Sequence, residues 1–365
     1  MQTSKRFESF AGNGLLTTLR ELASLLGLSP ATVSRALNGF PEVGEKTRLR
    51  VLEASERLRY KANSSAKRLA TGKSGMVGMI FRSSRNLLVD PHFVDFLAGL
   101  STGLADRELD LIIHTAPQRD LLAHYERFAS SGSVDGMIVS APEIEDVRIS
   151  TLIARGFPFV VHGRTGEAVP YAYFDIDNDA AFAAATSLLV ELGHRRIALL
   201  NGEANLAFVV QRERAVRRIA ADRGIHIPER FVNHDLMSED QAFLHATEML
   251  SGRLGAPPTA FLCSSTLQAL GVIRAAGVVG LAIGRELSII AHDDVLPHLR
   301  PENFNPPLTV TRSPIRMAGA ALAEMMGARI AGVDPLQLQR MVGADLIVRA
   351  STGAVPMSGR DAWPH

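Results

Sequence analysis

One cysteine, Cys263, is all that this chain of 365 residues carries. A lone cysteine excludes a disulfide within the chain and a cysteine metal cluster, and it reads as a small buried hydrophobe. No apolar run reaches about 18 residues, which argues against a transmembrane helix. The opening residues, MQTSKRFESFAGNG, lack the apolar core and small-residue cleavage site of an export signal, so a cytoplasmic protein is expected. There is no P-loop and no HExxH pair, and Ser, His and Asp occur without a recognisable catalytic spacing. Neither an enzyme nor a cofactor or metal ion is expected. The closing stretch, STGAVPMSGRDAWPH, has no leucine heptads, which argues against a coiled-coil tetramer.

The composition, 46% hydrophobic and 21% charged, is that of a soluble globular chain with room for two or three domains. The net charge of +1 hides a division. Residues 17–75 hold eleven Lys/Arg and five acids, a net of +6, and residues 1–16 add +1, which leaves −6 for the rest. A basic head on an acidic body suits a polyanion partner for the head alone.

Within the head, Thr18-x-x-Glu21 is a capping box that opens a helix with Leu19, Leu22, Ala23 and Leu26 on one face. Gly27 stops it. Ser29 caps a second helix, and Pro30 takes its first turn, where the missing N–H costs nothing. Val33, Ala36 and Leu37 face inward. A helix, a short glycine turn and a second helix is the helix-turn-helix layout, whose second helix enters the major groove. On its outer side Arg35 can donate twice to a guanine edge, and Thr32 and Ser34 can bond phosphates. Pro30 and Ala31 can touch a thymine methyl but cannot hydrogen-bond a base. A third helix is expected over 45–58 with Leu49, Leu52 and Leu58 inward. Asn63 is a good cap for a very short helix, 64–70, in which Leu69 stands among basic residues and can wedge a minor-groove step.

From Met76 onward, apolar runs alternate with helical patterns. The runs include 76–81, 110–113, 136–139, 159–161, 197–200, 260–263, 287–291 and 308–310, and the helical patterns include 93–107, 180–192, 212–223 and 313–331. Such alternation implies parallel α/β sheets with helices on both faces and ligands at the strands' C-terminal ends. The body is large for one such layer, so a two-lobed body with a cleft is expected.

Taken together, Thr18 to Ala23, Ser29 to Asn38, Glu45 to Arg48 and Tyr60 to Gly72 resemble the lactose/galactose repressor (LacI/GalR) family of bacterial regulators, and the resemblance runs from about 17 to 350. Ala62 stands where that family usually has proline, and Gly44 where it has a Ser or Asp cap. The resemblance implies a multi-domain chain: a small all-α helix-turn-helix head and a periplasmic-binding-protein-like body. The expected divisions are a disordered extension, 1–16; the head, 17–61; a hinge, 62–75; the body, 76–350; and a flexible tail, 351–365. One lobe is expected from 76–175 plus 312–339 and the other from 176–308 plus 340–350. The implied DNA contacts are Thr18, Leu19, Ser29, Pro30, Ala31, Thr32, Ser34, Arg35, Asn38, Tyr60, Asn63, Ala66 and Leu69.

The effector positions carried over by motif are Asp90, Phe93, Ser140, His162, Arg164, Phe208, Val210, Arg214, Ser265 and Asp293. Arg214 closes Gln211-Arg212-Glu213-Arg214, with Arg217 in a usual glycine place. Ser265-Thr266 stands where an Asn-Asp pair is common, and Asp293 belongs to a turn similar to the family's GYDD. Gly193-His194-Arg195-Arg196 is read as structural. The runs at 90–93, 162–164 and 175–178 are most similar to α-glucoside or trehalose-type members. The implied function is a repressor of sugar-utilisation genes. It binds a pseudo-palindromic operator as a homodimer, answers to a sugar or sugar phosphate, and has no membrane partner. A transport binding protein and an α/β sugar enzyme are the alternatives; the basic head opposes the first, and no catalytic constellation supports the second.

Overall fold

The computed structural model describes residues 18–37, 39–58, 60, 72–82, 90–166, 168–253 and 255–355. They fall into two compact units, Met1–Ser74 and Gly75–His365. The expected extension (1–16), most of the hinge (62–71) and the last ten positions lie outside the described residues.

In the head, helices α1 (Leu19–Leu26), α2 (Pro30–Leu37) and α3 (Glu45–Arg57) enclose Leu22, Ala23, Val33, Ala36, Val43, Val51 and Ala54. The capping box closes as the spacing requires. Glu21 N donates to Thr18 Oγ1 at 3.3 Å, and Thr18 N donates to Glu21 Oε2 at 2.7 Å. Gly27 then takes φ +67°, where a Cβ would be strained. Ser29 caps α2 by accepting from Thr32 N at 3.1 Å. Gly44 gives α3 no side-chain cap.

The inward face expected of α3 holds at Leu58, which packs against the head's core, and is corrected at Leu49 and Leu52. Leu49 and Leu52 are 55% and 39% exposed, whereas Val51 and Ala54 are buried. Two apolar stripes lie on this helix, and the one with Val51 and Ala54 joins the head's core. Arg48 Nη2 donates to Phe40 O at 3.0 Å, and Arg50 Nη2 donates to Leu26 O at 3.3 Å. These bonds tie α3 to carbonyls of its neighbours in the orientation that leaves Leu49 and Leu52 outside.

The body runs β1 (Met76–Arg82), α4 (Pro91–Ala105), β2 (Asp110–Ala116), α5 (Leu121–Ser131), β3 (Gly136–Ser140), α6 (Val147–Ala154), β4 (Phe159–His162), β5 (Ala172–Ile176) and α7 (Asn178–Glu191). It continues through β6 (Ile197–Asn201), α8 (Ala207–Ala221), β7 (Val232–His234), α9 (Glu239–Leu250), β8 (Ala260–Cys263), α10 (Thr266–Val279), β9 (Ser288–Asp293), β10 (Thr309–Arg312), α11 (Ile315–Ile330), β11 (Gln339–Val342) and β12 (Asp345–Ile347). Two six-stranded sheets result, ordered β11-β5-β4-β3-β1-β2 and β12-β10-β9-β8-β6-β7. The first is parallel throughout, and the second is parallel except for the β10–β12 pair. Continuous apolar strands such as Ile197–Leu200 are buried on both faces, as a helix-covered parallel sheet requires.

The chain passes between the sheets after β5, after β10 and after β11. Two expected boundaries are therefore corrected. Residues 340–342 belong to the first lobe, because β11 pairs with β5 from Gln339↔Tyr173 to Val342↔Ile176. The expected flexible tail begins too early. Ser351 is fully buried: its Oγ accepts from Thr309 N at 2.8 Å and donates to Ile289 O at 2.6 Å. His194 Nε2 lies 2.8 Å from Ser288 Oγ and 3.2 Å from Gly353 O, with Nδ1 2.9 Å from Thr259 Oγ1. This buried ring, held down to a pKa of about 4 by burial, is structural, as expected of the Gly-His-Arg-Arg turn.

Candidate functional site

In the head, the outer face of α2 carries the base-reading candidates. Pro30, Ala31 and Arg35 are exposed, and Thr32 and Ser34 are half-buried. Thr18 and Ser29 are exposed caps. The hydroxyls of Ser29 and Thr32 lie 2.8 Å apart, so the pair holds the start of the helix as well as facing outward. Leu19 and Tyr60 pack against the head's core. Asn38, Asn63, Ala66 and Leu69 lie outside the described residues.

In the body, the C-terminal ends of strands from both lobes meet at a cleft. The first lobe brings His92 from α4, Ser140 from β3, His162 to Arg164 from β4 and Asp175 and Ile176 from β5. The second brings Asn178 from α7, Phe208 and Arg212 from α8, Ser264 after β8 and Asp294 after β9. An adjoining chamber shares His92, Ser140 and His162 and adds Phe81, Asp90, Phe93 and Phe96.

Arg212 is the centre of the second lobe's wall. Its guanidinium lies between the Phe182 and Phe208 rings, 4.8 Å from each centroid. Nε donates to Asn178 Oδ1 at 2.8 Å, and Nη1 donates to Ser264 O at 2.9 Å. Burial lowers its pKa to about 10, against the charges of Asp294 and Asp175, so it stays a cation at neutral pH. Opposite stands Asp175, accepting from Arg164 Nε at 3.2 Å and from Ile176 N at 2.9 Å. Burial raises it to about 7 despite Arg164 beside it, so near neutrality it can donate or accept. His162 stacks on Phe96 at 4.9 Å, and burial lowers it to about 4, which keeps it neutral. The site thus offers hydrogen-bond donors and acceptors in both senses beside aromatic faces.

Of the ten expected effector positions, Asp90, Phe93, Ser140, His162, Arg164 and Phe208 line these chambers. Four do not. Arg214 points outward, its Nη2 3.4 Å from Asp179 Oδ1, and with Val210 it lines a separate hollow. The cleft arginine is Arg212, and helical phase explains the correction. Arg212 shares the buried face of Ala215, Val216 and Ala220, and a step of two residues turns about 200° around a helix. Ser265 is buried as the cap of α10, accepting from Gln268 N at 3.2 Å, so Ser264 faces the cleft instead. Asp293 is buried at the end of β9, accepting from Val295 N at 2.8 Å, and Asp294 takes the cleft position. Val295, the next residue of the turn, has φ +60°.

Comparison with known proteins places both units. The model for bacterial regulatory proteins, lacI family, matches residues 18–63, and that for a periplasmic binding protein-like domain matches 186–352. The chain is 44% identical over 339 residues to the HTH-type transcriptional regulator AglR of Rhizobium meliloti (strain 1021), covering 93% of this chain and 95% of that protein. It is 31% identical over 327 residues to the HTH-type transcriptional regulator RafR of Escherichia coli, covering 88% and 94%. Among solved structures, a transcriptional regulator CelR–cellobiose complex matches with TM-score 0.66 and 25% identity, over 92% of this chain and 99% of that one. The lac repressor dimer bound to operator and the anti-inducer ONPF matches with TM-score 0.77 and 22% identity, over 93% and 100%, a likeness of fold.

Proposed function

The chain belongs to the lacI family of bacterial regulatory proteins, a DNA-binding transcriptional regulator, and from that premise we propose that it is a cytoplasmic, homodimeric repressor of sugar-utilisation genes whose cleft binds a neutral disaccharide. The observation that carries the ligand class is the cleft's mixture of charge. Arg212 is already committed to Asn178 and Ser264, and Asp175 and Asp294 stand in the same cavity. Carboxylates repel a phosphate dianion but accept hydroxyls well. Phe208 and Phe93 offer faces to the apolar sides of pyranose rings, and the adjoining chambers make room for two of them. The relative solved with cellobiose supports a disaccharide.

In this reading, the head contacts one half of a pseudo-palindromic operator through α2, with Arg35 on a guanine edge and Thr32 and Ser34 on phosphates. Asn63, Ala66 and Leu69 would complete the contact from the hinge. The lobes meet the ligand through Asp90, Phe93, Ser140, His162, Arg164, Phe208, Arg212, Ser264 and Asp294. Titration calorimetry of the full chain against trehalose, maltose, sucrose, cellobiose and glucose 6-phosphate tests the ligand class. The expected outcome is binding of at least one disaccharide and weaker or absent binding of the phosphate. Selective binding of glucose 6-phosphate would overturn the assignment.

A further inference from the structure

One contact between the two lobes is made by two titratable side chains, His92 and Asp294. His92 stands in the first turn of α4, and Asp294 follows β9; Nε2 of the ring lies 3.3 Å from Oδ2 of the carboxylate. Asp90, the cap of α4, holds the other side of the ring. Its Oδ1 accepts from His92 N at 3.0 Å and lies 3.0 Å from Nδ1. Asp90 is a carboxylate with only lone pairs to offer, so Nδ1 carries the proton of the neutral ring. Nε2 then meets Asp294 with a lone pair of its own. Apart from this contact it is buried without a hydrogen-bond partner. Two lone pairs at that distance repel, and the contact turns attractive only when one more proton lies between them.

The charged groups facing the pair are Asp90 from the cap of its own helix, His292 and Asp293 from β9, and Arg212 from α8. Nε2 of His292 is 3.7 Å from Oδ1 of Asp294, and Nδ1 is 3.0 Å from Thr311 Oγ1. Burial, Arg212 and His92 hold His292 well below the ordinary histidine value, so it stays neutral. His92 goes the other way. Burial alone would lower it, but the hydrogen bond to Asp90 and the charges of Asp294 and Asp90 outweigh burial and Arg212 and raise it. Asp294 is raised by burial against the charges of His92 and Arg212, with Asp90 adding to the rise.

We propose that His92 and Asp294 form a proton-operated latch between the lobes: the cleft closes by taking one proton from solvent, which the pair holds, and opens by returning it. The stabilisation of the closed form is fully present, in mild acid, below the value His92 has in the open form, where it keeps Asp90 and loses Asp294, and it is lost as pH rises through the higher value of the closed form. Closure is therefore favoured by mild acid. The latch lies in the lobes themselves and holds whether the ligand is a sugar or not, so failure of the ligand assignment leaves it standing.

The test uses the full chain with histidine ring carbons labelled for NMR, titrated from mild acid to mild base, with His92→Gln to assign the signal. The expected result is a His92 midpoint above the ordinary histidine value that falls back toward it in Asp294→Asn. In parallel, dyes on Ser150→Cys and Asp222→Cys, exposed positions on different lobes, report the distance between lobes by energy transfer. Transfer should change with pH in the otherwise native chain and lose that dependence in His92→Gln and in Asp294→Asn. A His92 midpoint that Asp294→Asn leaves in place would overturn the latch. So would a distance between lobes that does not respond to pH, or a response that survives both substitutions.

Discussion

Arg212 uses three properties of a guanidinium at once: two fixed donors, a flat face between two rings, and a charge that survives burial. Lysine offers none of the first two. Arg212→Lys is therefore expected to weaken binding of the selected disaccharide by about tenfold or more, the scale of one hydrogen bond to a charged group. Arg214→Ala should leave the same calorimetric affinity unchanged within about twofold, because Arg214 pairs with Asp179 outside the cleft. The distinction was present in the chain as helical phase. Arg212 sits three and four residues before Ala215 and Val216, whereas Arg214 sits three and four before Arg217 and Arg218. Ser265 was legible too, since Ser-x-x-Gln before an apolar run is a capping pattern. The exchange of Asp293 for Asp294 was not, because two adjacent carboxyl groups at a strand end read alike in the sequence and only the fold shows that Asp293 is buried and Asp294 lines the cleft.

Among the elements, α4 and α11 approach closely, and glycine permits it. A Cβ on Gly319 would lie 2.3 Å from Phe96 O and 2.7 Å from Leu100 N, both backbone atoms that cannot turn aside. Gly319→Ala is expected to cost about 1–3 kcal/mol of stability in urea unfolding followed by circular dichroism. Gly277, exposed near the end of α10, is the contrast: a Cβ there would meet nothing within 4 Å. At that position Gly→Ala should stabilise by roughly 0.5–1 kcal/mol, since it removes only unfolded-state freedom. The sequence located four long helices and most of the buried strands because burial imposes an apolar run on them. It was silent on β5, a buried inner strand, and on β7, β11 and β12, three of the four edge strands. Gln339-Arg340-Met341-Val342 is exposed over most of its length, so its pairing with β5 leaves no hydrophobic signature. In α3 the sequence reading took Leu49 and Leu52 as inward, whereas Val51 and Ala54 pack into the head's core, with the arginine bonds to Phe40 O and Leu26 O alongside.

For the whole molecule, the basic head and acidic body told apart a DNA-facing unit and a ligand-facing unit before any fold was known. The body's strand–helix alternation called for two parallel sheets with a cleft at the strand ends, and the sheets have that form. Three passes of the chain join the sheets, and residues of both lobes line the cleft. Regulation then requires that ligand and DNA be linked. Thermodynamic reciprocity demands that the disaccharide alter operator affinity by the same factor by which operator alters disaccharide affinity. The decisive measurement is that pair of affinities at one salt concentration and one pH, with the palindromic duplex that the full chain selects from random DNA. Equal factors of about 5–150 are expected, the usual range of such coupling. A disaccharide that binds the cleft tightly and leaves operator affinity untouched would contradict it.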